Sequence, residues 1–282
     1  MTFSSILTLM DGSQAAVQRA RIAAALAARF DARLTGVFPR PPLPLSAWDE
    51  PVYWGLPPVV PPAVPPEILA AHERRTDAQG EAARLAFEAA AADAGCRSDW
   101  RALASDMGEG VVELTRRTDL TVLPPGRLPT IGPAGAAAAD LALGGGGPAL
   151  ILPDRVADPA PGRRIVVAWN GGREAARAVR DAWPFLSTAE AVRVVVVAPG
   201  EAEGPDSLLQ RWFEDHGCNA EVVVVREADA GAGDAVRRQA EALKADLIVM
   251  GLYGHSRLRE TVLGGVSHGL LRDPPVALFV SH

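Results

Sequence analysis

The sequence predicts an α/β protein made of two tandem doubly wound parallel sheets, five strands in each, with helices on both faces. Three observations carry this. Short Val/Ile/Leu runs alternate with Ala- and Arg-rich stretches long enough for helices. Runs such as Val194-Val-Val-Val197 and Val222-Val-Val-Val225 are apolar toward both faces, as parallel strands covered by helices on both sides must be. The same series of elements then occurs twice along the chain, in the same order.

Bulk composition agrees. A chain of 282 residues with 48% hydrophobic content has material for two cores, and only 5% aromatic content suits layered α/β structure better than a β-sandwich. A net charge of −6 argues against broad binding to nucleic acid or to an anionic membrane, so any phosphate ligand must be held locally. The N-terminus has no basic lead followed by a sustained apolar run, and no stretch is apolar for the length of a membrane span. The expectation is a soluble, cytoplasmic protein. Two cysteines, Cys96 and Cys218, are too few for a disulfide framework and lack a second ligand pair for zinc.

The first repeat opens on Ile6-Leu-Thr-Leu-Met, which breaks into the turn Asp11-Gly12-Ser13 and then a helical stretch. A second strand spans Arg33 to Phe38. Pro39 to Pro66 follows, a proline-crowded insertion that fixes φ, removes backbone donors and reads as an ordered surface loop. Trp48, Tyr53 and Trp54 within it need cover, either as a flap on their own domain or as a lid or partner contact. A helix then closes at Ala94-Gly95-Cys96, and strands follow at Asp119 to Leu123 and Ala149 to Leu152.

The second repeat reads as strands at Arg164 to Trp169, Ala191 to Ala198, Ala220 to Arg226, Ala245 to Met250 and Val276 to Ser281. Helices lie between them at Arg173 to Leu186, Asp206 to His216 and Gly233 to Lys244, with one more starting near Gly264. The predicted domains are 1–155, carrying the insertion at 39–66, and 163–282. Cys96 and Cys218 fall at matching helix-to-strand junctions, which points to packing more than to redox chemistry.

The chemistry concentrates in Gly251-Leu-Tyr-Gly254-His255-Ser-Arg257-Leu-Arg-Glu-Thr-Val-Leu-Gly264-Gly265-Val-Ser267, which follows a buried strand and precedes a helix. Glycine lets a backbone approach a phosphate closely, and a helix N-terminus presents N–H groups and positive partial charge to it. The plainer alternative is that Gly251 and Gly254 only shape a strand-to-helix crossover. His255 and Arg257 stand where they can meet phosphate oxygens, or can serve as solvated loop or interdomain residues.

In the first repeat the matching loop is Pro124-Pro125-Gly126, where prolines replace N–H donors. The run Gly144 to Gly147 lies before the last strand and reads as a flexible connection.

The spacing of Gly251, Gly254 and Gly264, with the flanking Gly-His-Ser-Arg-Leu-Arg segment, resembles the nucleotide loop of the universal stress protein family. The resemblance covers the second half and, more weakly, the first. It implies a Rossmann-like fold of the adenine nucleotide alpha hydrolase type and ATP or AMP, with or without Mg²⁺, bound in the C-terminal domain only. On that likeness Asn170 and Gly171 at the first turn and Ala198 after the second strand hold the adenine. Gly251, Gly254, Gly264 and Gly265, with Ser267, hold ribose and phosphates.

Two positions depart from the family pattern. Asn170 stands where Asp is usual, and its side-chain oxygen still accepts a hydrogen bond. Gly265 stands where Ser or Thr offers a hydroxyl; losing one such bond to a charged oxygen costs about 1.5–3 kcal/mol unless Ser267 or the Gly265 N–H compensates. Asn170-Gly171-Gly172-Arg-Glu also slightly resembles the pyrophosphate loop of ATP pyrophosphatases, but the serine and aspartate expected there are absent.

No acid–base or metal-ligand constellation accompanies the loop, and Asp246 is only a scattered candidate for Mg²⁺. The leading expectation is a stress-response protein that signals or protects through its liganded state, with at most weak ATP hydrolysis. The alternatives are a tandem scaffold that binds no nucleotide and works by protein–protein contact, or a nucleotidyl-transfer enzyme. The resemblance further implies that the last strands of the two domains pair within one chain as a pseudo-dimer, and that two chains can pair again as a homodimer.

Overall fold

The computed structural model describes residues 2–41, 43, 65–103, 108–128, 136–154, 160–198, 207–226, 231–252 and 269–282. The first half runs β1 (Ser5–Leu9), α1 (Gln14–Phe30), β2 (Arg33–Pro39), α2 (Pro66–Ala94), β3 (Ser98–Leu103), α3 (Gly108–Thr115) and β4 (Leu120–Leu123). A two-residue antiparallel pair, β5 (Arg127–Leu128) and β6 (Ala136–Ala137), then leads into α4 (Ala138–Gly145) and β7 (Ala149–Ile151). The second half runs β8 (Arg164–Trp169), α5 (Arg173–Asp181), α6 (Trp183–Leu186), β9 (Ala191–Ala198), α7 (Ser207–Asp215), β10 (Ala220–Arg226), α8 (Ala232–Leu243), β11 (Leu247–Gly251) and β12 (Ala277–Ser281).

All the large strands lie in one ten-stranded sheet ordered β10-β9-β8-β11-β12-β7-β4-β1-β2-β3. Each half is parallel throughout, and in each the chain winds outward in one direction from its first strand and then in the other. The reversal falls between β1 and β4 in the first half and between β8 and β11 in the second. The halves join where β12 meets β7 antiparallel, Leu278 facing Ile151 and Val280 facing Ala149, so the expected pairing of last strands is present.

Side chains alternate between two buried faces. Ile165 and Val167 enter one apolar layer with Phe185 and Phe213, while Val166 enters the other with Ile248 and Val236. At the seam, Phe30 packs edge-on to Phe3 and Phe185, with centroids 5.1 and 5.2 Å away. Arg29 lies over both Phe30 and Phe185 and donates across the seam to Pro161 O and Thr188 Oγ1, at 3.2 and 2.5 Å.

The repeat extends to its polar fasteners. Asp119 Oδ2 accepts from the N–H groups of Ser4 and Ser5 at 2.8 and 2.9 Å. At the equivalent place Asp246 accepts from the N–H groups of Gly162, Arg163 and Arg164, at 2.7 to 3.2 Å. Each carboxylate thus ties the start of its half's first strand to the start of the fourth.

Several sequence expectations need correction. The single helix expected over Arg173 to Leu186 is two, α5 and α6, with Pro184 in the first turn of the second. Gly144 and Gly145 are not a flexible connection: they close α4, and a Cβ on Gly145 would stand 2.6 Å from Thr115 Oγ1, so the glycine lets α4 lie against α3. Cys96 and Cys218 do occupy equivalent junctions and pack at the same apolar layer. Trp48, Tyr53 and Trp54 lie outside the described residues. Among those described, no helix is long and apolar enough to cross a membrane.

Candidate functional site

In a doubly wound sheet the two strands flanking the reversal send their connections to opposite faces, which opens a crevice at their carboxyl ends. In the second half that crevice lies beyond Trp169 of β8 and Gly251 of β11. The turn leaving β8 is Asn170-Gly171-Gly172. Asn170 is exposed, and its Oδ1 accepts the Gly172 N–H at 2.9 Å. Asp11 does the same in the first half, accepting the Ser13 N–H at 2.9 Å. Asn170 therefore preserves the local turn chemistry of an aspartate there, and keeps its amide NH₂ in addition.

The two turns diverge at their third residue. Ser13 caps α1, its Oγ accepting the Ala16 N–H at 3.1 Å, whereas Gly172 offers α5 no side-chain cap. Gly251 ends β11 hard against that uncapped first turn. A Cβ on Gly251 would stand 2.5 Å from Glu174 C and 2.7 Å from Ala175 N, so the close approach of β11 to α5 requires glycine. This gives Gly251 a packing role whatever the ligand.

Glu174 fills the space beside it, its side chain only 5% exposed, while its partner Arg173 is 85% exposed. Burial pushes the Glu174 carboxyl up, but the hydrogen bond from Arg173 Nε, its own backbone N–H and the nearby His282 outweigh this and hold it below the usual glutamate value. Further bracing comes from Ser281 Oγ, which donates to Asp181 Oδ2 at 2.6 Å, and from His282, whose Nδ1 lies 2.9 Å from Leu252 O.

Of the residues singled out from sequence, Asn170, Gly171 and Gly251 converge on the crevice, and Ala198 ends the neighbouring strand β9 on the same side. Gly254, His255, Arg257, Gly264, Gly265 and Ser267 lie outside the described residues. Asp246 is at the amino end of β11, the opposite end of the sheet, with its oxygens committed to backbone N–H groups, so its candidacy for Mg²⁺ is withdrawn. Among the described residues no group of His, Cys, Asp and Glu is arranged to hold a metal ion. Sequence reasoning missed Arg173 and Glu174. Their signal was an adjacent cation and carboxylate in the first turn after Asn-Gly-Gly, and only tertiary packing shows that one is buried and the other exposed.

The first-half crevice is built differently. Pro124 follows β4 where Gly251 stands in the second half. Helix α2 is 29 residues long against 9 for α7, and its Gln79 carbonyl lies 3.8 Å from where a Cβ on Gly12 would be. Arg19, almost wholly buried, donates from Nε and Nη2 to Leu9 O at 3.2 and 2.8 Å, and its Nη2 is 3.7 Å from Asp11. Burial lowers the guanidinium's proton affinity, and Asp11 and Asp154 oppose that.

The fold and its two differently built crevices define a tandem doubly wound α/β protein with a strand reversal in each half. Set beside known proteins, residues 162–282 match the model of the Universal stress protein family. The solved universal stress protein from Archaeoglobus fulgidus DSM 4304 superposes with a TM-score of 0.68 at 14% identity, covering 98% of this chain and 97% of that one. A universal stress protein from Pseudomonas aeruginosa UCBPP-PA14 gives a TM-score of 0.57 at 15% identity, covering 99% and 93%. A Pseudomonas aeruginosa PAO1 protein described as functionally unknown gives 0.57 at 15%, covering 99% and 92%. Likenesses this remote in sequence speak of the fold, and they extend it over both halves. A search of curated proteins found no match.

Proposed function

We propose that residues 163–282 bind an adenine nucleotide, ATP or AMP, in the crevice at the carboxyl ends of β8 and β11, and that the first half binds none. The observation that carries this is the strand reversal at β8 and β11, where a glycine-ended strand meets an uncapped helix start and the glycine-spaced loop from Gly251 to Ser267 begins. Asn170, Gly171 and Ala198 take the base. Gly251, Gly254, Gly264, Gly265 and Ser267, with His255 and Arg257 beside them, take ribose and phosphates. The Universal stress protein match, confined to residues 162–282, supports placing the ligand there.

In the first half Pro124 stands where Gly251 does, the Gln79 carbonyl of α2 approaches the Gly12 turn and Arg19 is buried against Leu9, which supports reading that half as a structural partner. The protein then acts in the stress response through its liganded state, in the cytoplasm, with domains 1–155 and 163–282 as a pseudo-dimer. Purified protein is heat-denatured and the supernatant chromatographed for adenine nucleotide, and ATP is titrated calorimetrically. Bound nucleotide or binding heat is the expected outcome, and the absence of both would sink the reading. The Asn170–Gly172 contact, which already uses one acceptor site of the side chain, favours the second reading of a nucleotide-free scaffold, and the same experiment separates the two.

A further inference from the structure

We infer that Arg173, tethered by the buried Glu174, grips a phosphate group of the ligand held in the second-half crevice, an inference that rests on the nucleotide reading above. Arg173 donates through Nε to Glu174 Oε1 at 2.5 Å, and among the described residues its two terminal nitrogens have no other partner. A guanidinium fixed at Nε still presents a planar pair of N–H groups, the geometry that matches two oxygens of one phosphate.

The tether is rigid at its far end. Glu174 is closed in by the Gly251 backbone, and its Oε2 comes 3.3 Å from where a Cβ on Gly172 would be. Because Gly251 touches Glu174 and Ala175, Arg173 stands at the mouth of the crevice beside the first glycine of the loop. A charged fork there offers a phosphate contact in a chain whose glycine loop carries Gly265 in place of a hydroxyl residue. The first half has Gln14 and Ala15 at the equivalent positions, so the half with prolines in its loop also lacks both members of the pair.

The test uses the full chain as wild type, Arg173→Ala, Arg173→Lys and Glu174→Gln, each titrated with adenosine, AMP and ATP. A lost hydrogen-bonded charge contact predicts that Arg173→Ala weakens AMP and ATP by about 10- to 100-fold. Adenosine, which has no phosphate, keeps its affinity. Arg173→Lys recovers little, since lysine has neither the Nε tether nor the fork, and Glu174→Gln gives an intermediate loss confined to AMP and ATP. Arg173 is a surface side chain, so its alanine variant folds. An unchanged ratio of ATP to adenosine affinity in Arg173→Ala overturns this role alone. If the wild type binds none of the three ligands, the nucleotide reading fails and takes this role with it.

Discussion

Replacing Gly251 with alanine tests how the crevice is built. The added Cβ would meet Glu174 C at 2.5 Å, Ala175 N at 2.7 Å and Glu174 Cβ at 2.8 Å. Such contacts are relieved cheaply when the neighbour is the far end of a flexible side chain. Here all three atoms belong to the helix itself or to its first side-chain carbon, so α5 must move off β11 as a body. Overpacking of this kind costs about 1–3 kcal/mol, and the immobility of the neighbours puts Gly251→Ala near the upper end. With a urea slope of about 2 kcal/mol/M, the midpoint falls by about 1.5 M with the slope unchanged. Gly171→Ala is the control, because Gly171 has φ +74° with nothing near its Cβ direction. Only backbone strain operates there, about 1 kcal/mol, and asparagine relieves part of it. A Gly251→Ala midpoint within about 0.2 M of wild type would refute the packing argument.

Other perturbations follow from the same geometry. Asp246→Ala removes an acceptor shared by three backbone N–H groups and destabilises by about 2 kcal/mol in urea melts, yet leaves the Mg²⁺ dependence of any nucleotide binding unchanged, since Asp246 sits at the far end of the sheet. The Glu174 carboxyl titrates below its ordinary 4.5, so its contribution to stability is fully present above that value and is lost as pH falls through the lowered one. Acid titrations of Glu174→Gln are therefore flatter below pH 4.5 than those of the wild type. Burial raises both thiols above 9.0, and Cys218 is buried while Cys96 is only partly so. At pH 8 iodoacetamide, read by mass spectrometry, labels Cys96 first, and equal rates would contradict the packing at Cys218.

Much of the fold was legible because its signals are local. Val194 to Val197 and Val222 to Val225 reveal parallel strands covered on both faces, since no other environment hides both sides of a strand. Asp11-Gly12-Ser13 and Asn170-Gly171-Gly172 reveal matching turns because their hydrogen bonds span only two residues. Gly144 and Gly145 misled because a glycine serving a close helix contact looks in sequence like one serving a flexible link, and only Thr115 across the gap tells them apart. Asp246 misled for a related reason: a carboxylate next to a strand does not disclose which end of the sheet it faces.

The sequence by itself determined the repeated α/β architecture, the pairing of last strands that its resemblance implied, and the second half as the one with the glycine framework. The first and last of these follow from periodicity, turn chemistry and motif spacing, which are written in neighbouring residues, while the strand pairing came only from the resemblance. Tertiary structure alone decided that Glu174 is buried and Arg173 exposed, that Gly251 is required by the backbone of α5, and that α2 and Arg19 close in on the first-half turn. Each of those depends on contacts between segments far apart in the chain, whose distances no local pattern encodes.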